Sequence, residues 1–146
     1  MRVLVLDGNE NQAVASVRSL GRAGYEVLVG ASTNWSKAGW SRYCARQFRY
    51  TAPQRDAALF VDEIAQAASQ VPGTLVLPMT ERTTVSLSFQ RAALDAVGAR
   101  YVLPDHETLL RSIDKRATTE LAASLGLATP ATTLISEYAE AEQFAQ

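Results

Sequence analysis

Arg2-Val3-Leu4-Val5-Leu6-Asp7-Gly8-Asn9-Glu10-Asn11 opens the chain, which runs on through Ala13, Val14, Val17 and Leu20 to Gly24-Tyr25-Glu26-Val27-Leu28-Val29-Gly30-Ala31. The run Arg2–Leu6 is short and continuously apolar, as suits a parallel strand covered on both faces. Asp7–Asn11 is rich in turn formers. Ala13, Val14, Val17 and Leu20 then recur every three or four residues, which places them on one face of a helix. Gly24 stands where a helix ends in a left-handed residue, a conformation glycine takes without a Cβ clash. Tyr25–Ala31 is a second apolar strand. Strand, helix and strand within about 30 residues make a βαβ unit with a right-handed crossover.

The rest of the chain repeats this alternation. Ser32–Ser41 reads as a polar loop carrying Trp35 and Trp40, whose expected place is against a neighbouring domain or a second subunit in a homodimer. A third strand is expected within Tyr43–Thr51. A helix follows Pro53, with Phe60, Ile64, Ala67 and Val71 at helical spacing, and Pro72-Gly73 stops it. Thr74–Leu77 is a strand and Pro78-Met79-Thr80-Glu81 the loop at its carboxyl end. Val85–Phe89 alternates like a strand, yet Thr83-Thr84 before it, Arg91–Leu94 after it and Gly98 beyond fit a single capped helix. Tyr101–Pro104 is the fifth strand and His106–Ile113 a short helix. Asp114-Lys115-Arg116-Ala117 opens another helix, with Leu121 and Leu125 as its apolar stripe and Gly126 as its end. The expected fold is α/β: an open, mostly parallel, doubly wound sheet with helices on both faces.

Pro130 and Thr132-Thr133-Leu134-Ile135 mark a boundary. Ser136 is placed to cap a helix from Glu137 by accepting from its free N–H groups. The expected organisation is an α/β domain over 1–128, then a linker and the first elements of a next domain over 129–146. The sequence stops at Gln146 inside a helical pattern, so the expectation is a polypeptide cut short of its natural end.

Composition excludes more than it selects. A chain of 146 residues, 47% hydrophobic and 20% charged, can bury an ordinary globular core. A net charge of -1 gives no general pull toward nucleic acid or an anionic membrane. Arg42, Arg46 and Arg49 interleave with Tyr43, Phe48 and Tyr50, but the run is short and no basic excess backs it, so nucleic acid is not an expected partner. One cysteine, Cys44, excludes an internal disulfide and a Cys-rich metal site. One histidine, His106, argues against a His-based zinc site or a Ser-His-Asp triad. The first apolar run is too short for a secretory signal, and no stretch reaches the roughly 20 apolar residues of a membrane helix. A soluble cytoplasmic protein is the expectation.

Ligands of open α/β sheets sit outside the carboxyl ends of the strands. Three loops qualify: Asp7–Asn11, Ala31–Asn34 and Pro78–Arg82. The first lacks the G-x-G-x-x-G that lets a backbone close on a pyrophosphate, and Gly30-Ala31-Ser32 offers no acid for a ribose hydroxyl, which argues against NAD. Asp7-Gly8-Asn9 admits two readings. One is a tight turn with a helix cap. In the other, the N–H groups of Asn11 and Gln12, aided by the helix dipole, hold an anionic part of a substrate, with Asn9, Glu10 and Asn11 as contacts. Thr80 and Glu81 are likewise placed to meet a polar substrate, and Thr80 also suits a helix cap. Lys115, in the first turn of its helix, opposes the dipole and so invites an anion. The alternative is a solvated lysine paired with Asp114 or Glu120, with Asp114 as the N-cap.

The ordered set of Arg2–Ala31, the third-strand region, Leu77–Glu81 and Asp114–Thr132, with its "D-K, helix, G-[IL]-x-[TV]-P" pattern, resembles the ATP-grasp superfamily of carboxylate–amine ligases. The resemblance is to the N-terminal, Rossmann-like pre-ATP-grasp domain of proteins similar to the carbamoyl-phosphate synthase large chain. It implies an enzyme in which ATP with Mg2+ activates a small-molecule carboxylate as an acyl phosphate that an amine, ammonia or thiol attacks. It implies a phosphate contact for Lys115, and it places most nucleotide and metal ligands in a C-terminal ATP-grasp domain beyond Gln146. This chain alone is then expected to bind no cofactor and to be inactive. The first loop departs from the glycine-rich form of several members, which leaves the substrate open. A stand-alone Rossmann-like small-ligand-binding module without catalysis is the competing reading.

Overall fold

The computed structural model describes residues 1–132 and 135. The β-rich run beyond Thr132 and the helix expected from Ser136 lie outside the described residues. Two compact units are present, residues 1–104 and residues 105–146.

In the first unit β1 (Arg2–Val5), β2 (Glu26–Ala31), β3 (Cys44–Arg49), β4 (Leu75–Leu77) and β5 (Arg100–Tyr101) form one sheet in the order β3-β2-β1-β4-β5. All its pairings are parallel. Alternate side chains of the two central strands go to opposite faces, as the strand period of two requires. Val3, Val5, Val27 and Val29 pack with Ala13 and Val17 of α1 (Asn11–Arg22). Leu4, Leu6, Leu28 and Val76 pack on the other face with α2 (Ala57–Ser69), α3 (Glu81–Phe89) and α4 (Arg91–Ala96), through Phe60, Ile64, Leu87 and Leu94. The sheet is therefore covered on both sides, which explains why its strands read as unbroken apolar runs.

The structure departs from expectation in its details. The buried side of α2 is Phe60, Val61, Ile64, Ala65 and Ala68, rotated from the expected stripe, because the helix ends at Ser69 before Val71 can join it. The single helix expected up to Gly98 is two helices, broken at Gln90, whose φ of -112° and ψ of 33° leave the helical region. The helical reading of Val85–Phe89 holds. Strand β5 is only two residues long. Helix α1 ends as expected: Gly24 has φ +84°, with Gly24 N–H donating to Gly21 O and Tyr25 N–H to Leu20 O.

The second unit contains α5 (His106–Ile113) and α6 (Lys115–Ser124). Asp105 caps the first through Thr108 N–H, and Asp114 caps the second through Arg116 and Ala117 N–H at 2.9 and 3.1 Å. The apolar stripe of α6 is exposed, with Leu121 at 50% and Leu125 at 69%.

Candidate functional site

Strand order reverses at β1, which has β2 on one side and β4 on the other. Loops leaving β1 and β4 at their carboxyl ends must diverge there, and the crevice between them is where such sheets take ligands. Here one side chain ties the two loops together. Asp7 ends the first apolar run in a left-handed conformation, φ 55°, which aspartate tolerates better than most residues. Its Oδ2 accepts from Met79 N–H at 2.9 Å, Thr80 N–H at 3.0 Å and Thr83 Oγ1 at 2.6 Å. Its Oδ1 accepts from the Tyr50 hydroxyl at 2.9 Å, and the Asp7 N–H donates to that same hydroxyl at 3.1 Å. Tyr50 lies just past β3, 3% exposed, with its ring edge-on to Phe60 at 5.1 Å. Burial, and then the adjacent Asp7 carboxylate, push the Tyr50 phenol well above its ordinary value, so it stays protonated. Three loops are thus joined around one carboxylate.

Beside this network lies a cleft of about 500 Å³, whose lining includes Asp7, Glu10, Tyr50, Thr80, Glu81 and Arg82. Glu10, Thr80 and Glu81, three of the expected substrate contacts, meet there. Thr80 also caps α3, its Oγ1 accepting from Thr83 N–H at 3.4 Å, so both readings of that residue hold geometrically. Asn9 and Asn11 do not line the cleft. The Asn9 amide bridges two loops instead, donating to Thr33 Oγ1 at 2.9 Å and accepting from Lys37 N–H at 3.3 Å. Asn11 is exposed at the first position of α1, a helix whose start no side chain caps. Asp7, Tyr50 and Thr83 are the residues that the sequence reading passed over. An aspartate closing an apolar run just before glycine was the available signal. Tyr50 and Thr83 lie 43 and 76 positions away, with no local mark of the contact.

The geometry also accounts for the missing glycine fingerprint. The segment after β2 folds back over Gly8, with Ala38 N–H donating to Gly8 O at 2.8 Å and Gly8 N–H to Gly30 O at 3.0 Å. A Cβ at Gly8 would stand 2.6 Å from both Ser36 Oγ and Val29 Cγ1. Gly8 therefore serves close backbone packing rather than approach to a pyrophosphate. In the same loop Trp35 and Trp40, expected against a partner, stack on each other at 5.6 Å and are 67% and 75% exposed.

Asp7 already accepts four hydrogen bonds and Tyr50 is held neutral. Among the described residues no three His, Cys, Asp or Glu side chains gather to hold a metal ion. No helix among them is long and apolar enough to cross a membrane. In the second unit Lys115 is exposed at the first position of α6, beside a depression of about 340 Å³ lined by Ser112, Thr118, Thr119 and Thr132. Arg116, not Lys115, pairs with Glu120, at 2.7 Å.

No family model and no curated protein matches the chain. Solved structures do. A biotin carboxylase domain of a single-chain bacterial carboxylase is 22% identical with a TM-score of 0.64, over 99% of this chain and 34% of its own. An L-amino acid ligase from Bacillus licheniformis is 18% identical with a TM-score of 0.65, over 95% of this chain and 34% of its own. A biotin carboxylase domain dimer of a 2-oxoglutarate carboxylase from Hydrogenobacter thermophilus, in complex with MgADP, ADP and bicarbonate, is 16% identical with a TM-score of 0.62, over 99% of this chain and 32% of its own. The chain spans about a third of the length of these proteins. They share the fold of this chain, the α/β domain with a parallel sheet that the sequence leads one to expect.

Proposed function

We propose that this chain is the N-terminal domain of an ATP-dependent ligase of ATP-grasp type. It joins a small-molecule carboxylate to an amine, ammonia or thiol through an acyl phosphate. The cleft beside Asp7 holds the polar part of the carboxylate substrate, with Glu10, Thr80 and Glu81 as contacts. Lys115 reaches the ATP phosphates, while the remaining nucleotide and Mg2+ ligands belong to a C-terminal ATP-grasp domain. The observation that carries this reading is the Asp7 carboxylate, which fastens the loops after β1 and β4 into a polar cleft where the strand order reverses. The shared fold supports it, as do the exposed Trp35–Trp40 stack and the exposed stripe of α6, surfaces suited to a further domain or a second copy.

The test begins with the gene. The reading frame should continue past codon 146 into a domain with its own nucleotide ligands, and the whole polypeptide should release ADP only when a carboxylate and a nucleophile are both supplied. Lys115→Ala in that polypeptide should weaken ATP use, in KM or kcat, with the fold intact. Residues 1–146 alone should bind ATP weakly or not at all. A natural stop codon directly after Gln146, or micromolar ATP affinity of the 146-residue chain, overturns the reading. The stop codon would favour a stand-alone small-ligand-binding module, since every wall of the cleft lies within residues 7–83.

A further inference from the structure

The charge balance of the cleft beside Asp7 selects among the ligands that its proposed role admits. Three carboxylates, Asp7, Glu10 and Glu81, belong to its lining, against one guanidinium, Arg82. The four donors on Asp7 are two backbone N–H groups and two hydroxyls. All are neutral, so they solvate the Asp7 charge without cancelling it. Among the described residues the side chains of Glu10, Glu81 and Arg82 make no hydrogen bond or ion pair. Glu10 immediately precedes α1 and Glu81 opens α3, places where a helix dipole favours an acid. A dipole supplies no counter-ion, however, and the Glu10 charge is felt at the cleft. After burial and Asp7, it too raises the Tyr50 phenol.

A bare carboxylate or phosphate would meet a lining mostly of its own sign. A cleft lined by one sign of charge concentrates ligands of the other. Ala52 and Pro53 add apolar surface to the lining, which a carbon chain can cover and a hydrated inorganic cation cannot use. We infer that the group held in this cleft is an ammonium, and that the substrate is an amino-bearing carboxylate with its ammonium on Glu10 and Glu81 and its carbon chain on Ala52 and Pro53. The carboxylate half of that ligand rests on the ligase reading, whereas the ammonium half rests on the cleft alone. The cavity at the reversal of strand order places the site, and the acids decide only what enters it.

Nuclear magnetic resonance titration of the 15N-labelled 146-residue chain tests this, since that chain holds every lining residue. The probes are glycine, β-alanine, 4-aminobutyrate and 6-aminohexanoate, each beside its parent acid: acetate, propanoate, butanoate and hexanoate. At least one amino acid of the series should bind saturably, about tenfold tighter than its parent, with amide shifts centred on residues 7–10 and 80–83. Glu10→Gln and Glu81→Gln should each weaken that binding about fivefold, the modest loss expected of exposed charges. In the double variant the preference over the parent acid should vanish. Melting curves of both single variants should stay close to the wild type, because neither side chain holds a partner within the fold. No saturable binding by any of the four amino acids, equal binding of the parent acids, or affinity unchanged in both single variants overturns the inference. The titration uses no ATP, so its failure leaves the ligase reading to its own tests, and a stop codon after Gln146 leaves the ammonium site to this one.

Discussion

Helices α2 and α6 both carry apolar side chains at helical spacing, and the structure treats them in opposite ways. Helix α2 buries Phe60, Val61, Ile64, Ala65 and Ala68 against the sheet, whereas α6 buries no residue. The pattern of a helix specifies which face can be buried, but the element packed against that face decides whether it is. For α2 that element is the twisted sheet, supplied by strands distant in sequence. For α6, under the proposed function, it is a following domain.

The largest expected effect breaks the comparison on the buried side. Phe60 is fully buried and meets Tyr50 edge-on. Phe60→Ala should cost about 4 kcal/mol of unfolding free energy, from lost burial and the cavity left behind. Urea denaturation checks it, and a loss below about 1 kcal/mol would mean that α2 does not carry the core as described.

Next comes Asp7. Asp7→Ala strands two backbone N–H groups and two hydroxyls that now share one carboxylate, at a cost of about 3 kcal/mol. Asp7→Asn keeps an acceptor and tolerates the left-handed backbone, so it should cost about half as much. Equal losses in the two variants would show that the carboxylate is not what joins the loops.

Tyr50→Phe should cost about 1 kcal/mol and carries a pH signature. The phenol is raised above its ordinary value of 10.0 in the fold, so the folded state keeps a proton that the unfolded state loses. That part of the stability is complete below about pH 10 and declines as pH rises beyond it. Urea midpoints measured from pH 8.5 to 11 should fall more steeply for the wild type than for Tyr50→Phe. Parallel slopes would contradict the buried, Asp7-bound phenol.

The smallest effect sharpens the exposed side. Leu121→Ala on α6 should change the stability of the 146-residue chain by no more than about 0.5 kcal/mol, because its side chain is half exposed. A larger loss would mean that the stripe is already packed.

Much of the fold was legible because it rests on local patterns. The apolar runs of β1 and β2, the period of α1, the caps Asp114 and Thr80 and the left-handed Gly24 each declare themselves within a few residues. The break at Gln90 and the rotated face of α2 were not legible, since the packing of neighbouring elements sets them. At the cleft, Glu10, Thr80 and Glu81 meet as lining residues, and their place after strands is legible in the sequence. The Asn9 amide bridge to Thr33 and Lys37 leaves no sign in the spacing.

By itself the sequence determined the alternation of strands and helices and the burial of the sheet on both faces. These follow from periodicity and turn chemistry, which act over a few residues. Only the tertiary structure decided that Asp7, Tyr50 and Thr83 share one hydrogen-bonded centre. Hydrogen bonds and ion pairs depend on distances of about 3 Å between groups that the chain keeps dozens of positions apart, and folding alone sets those distances.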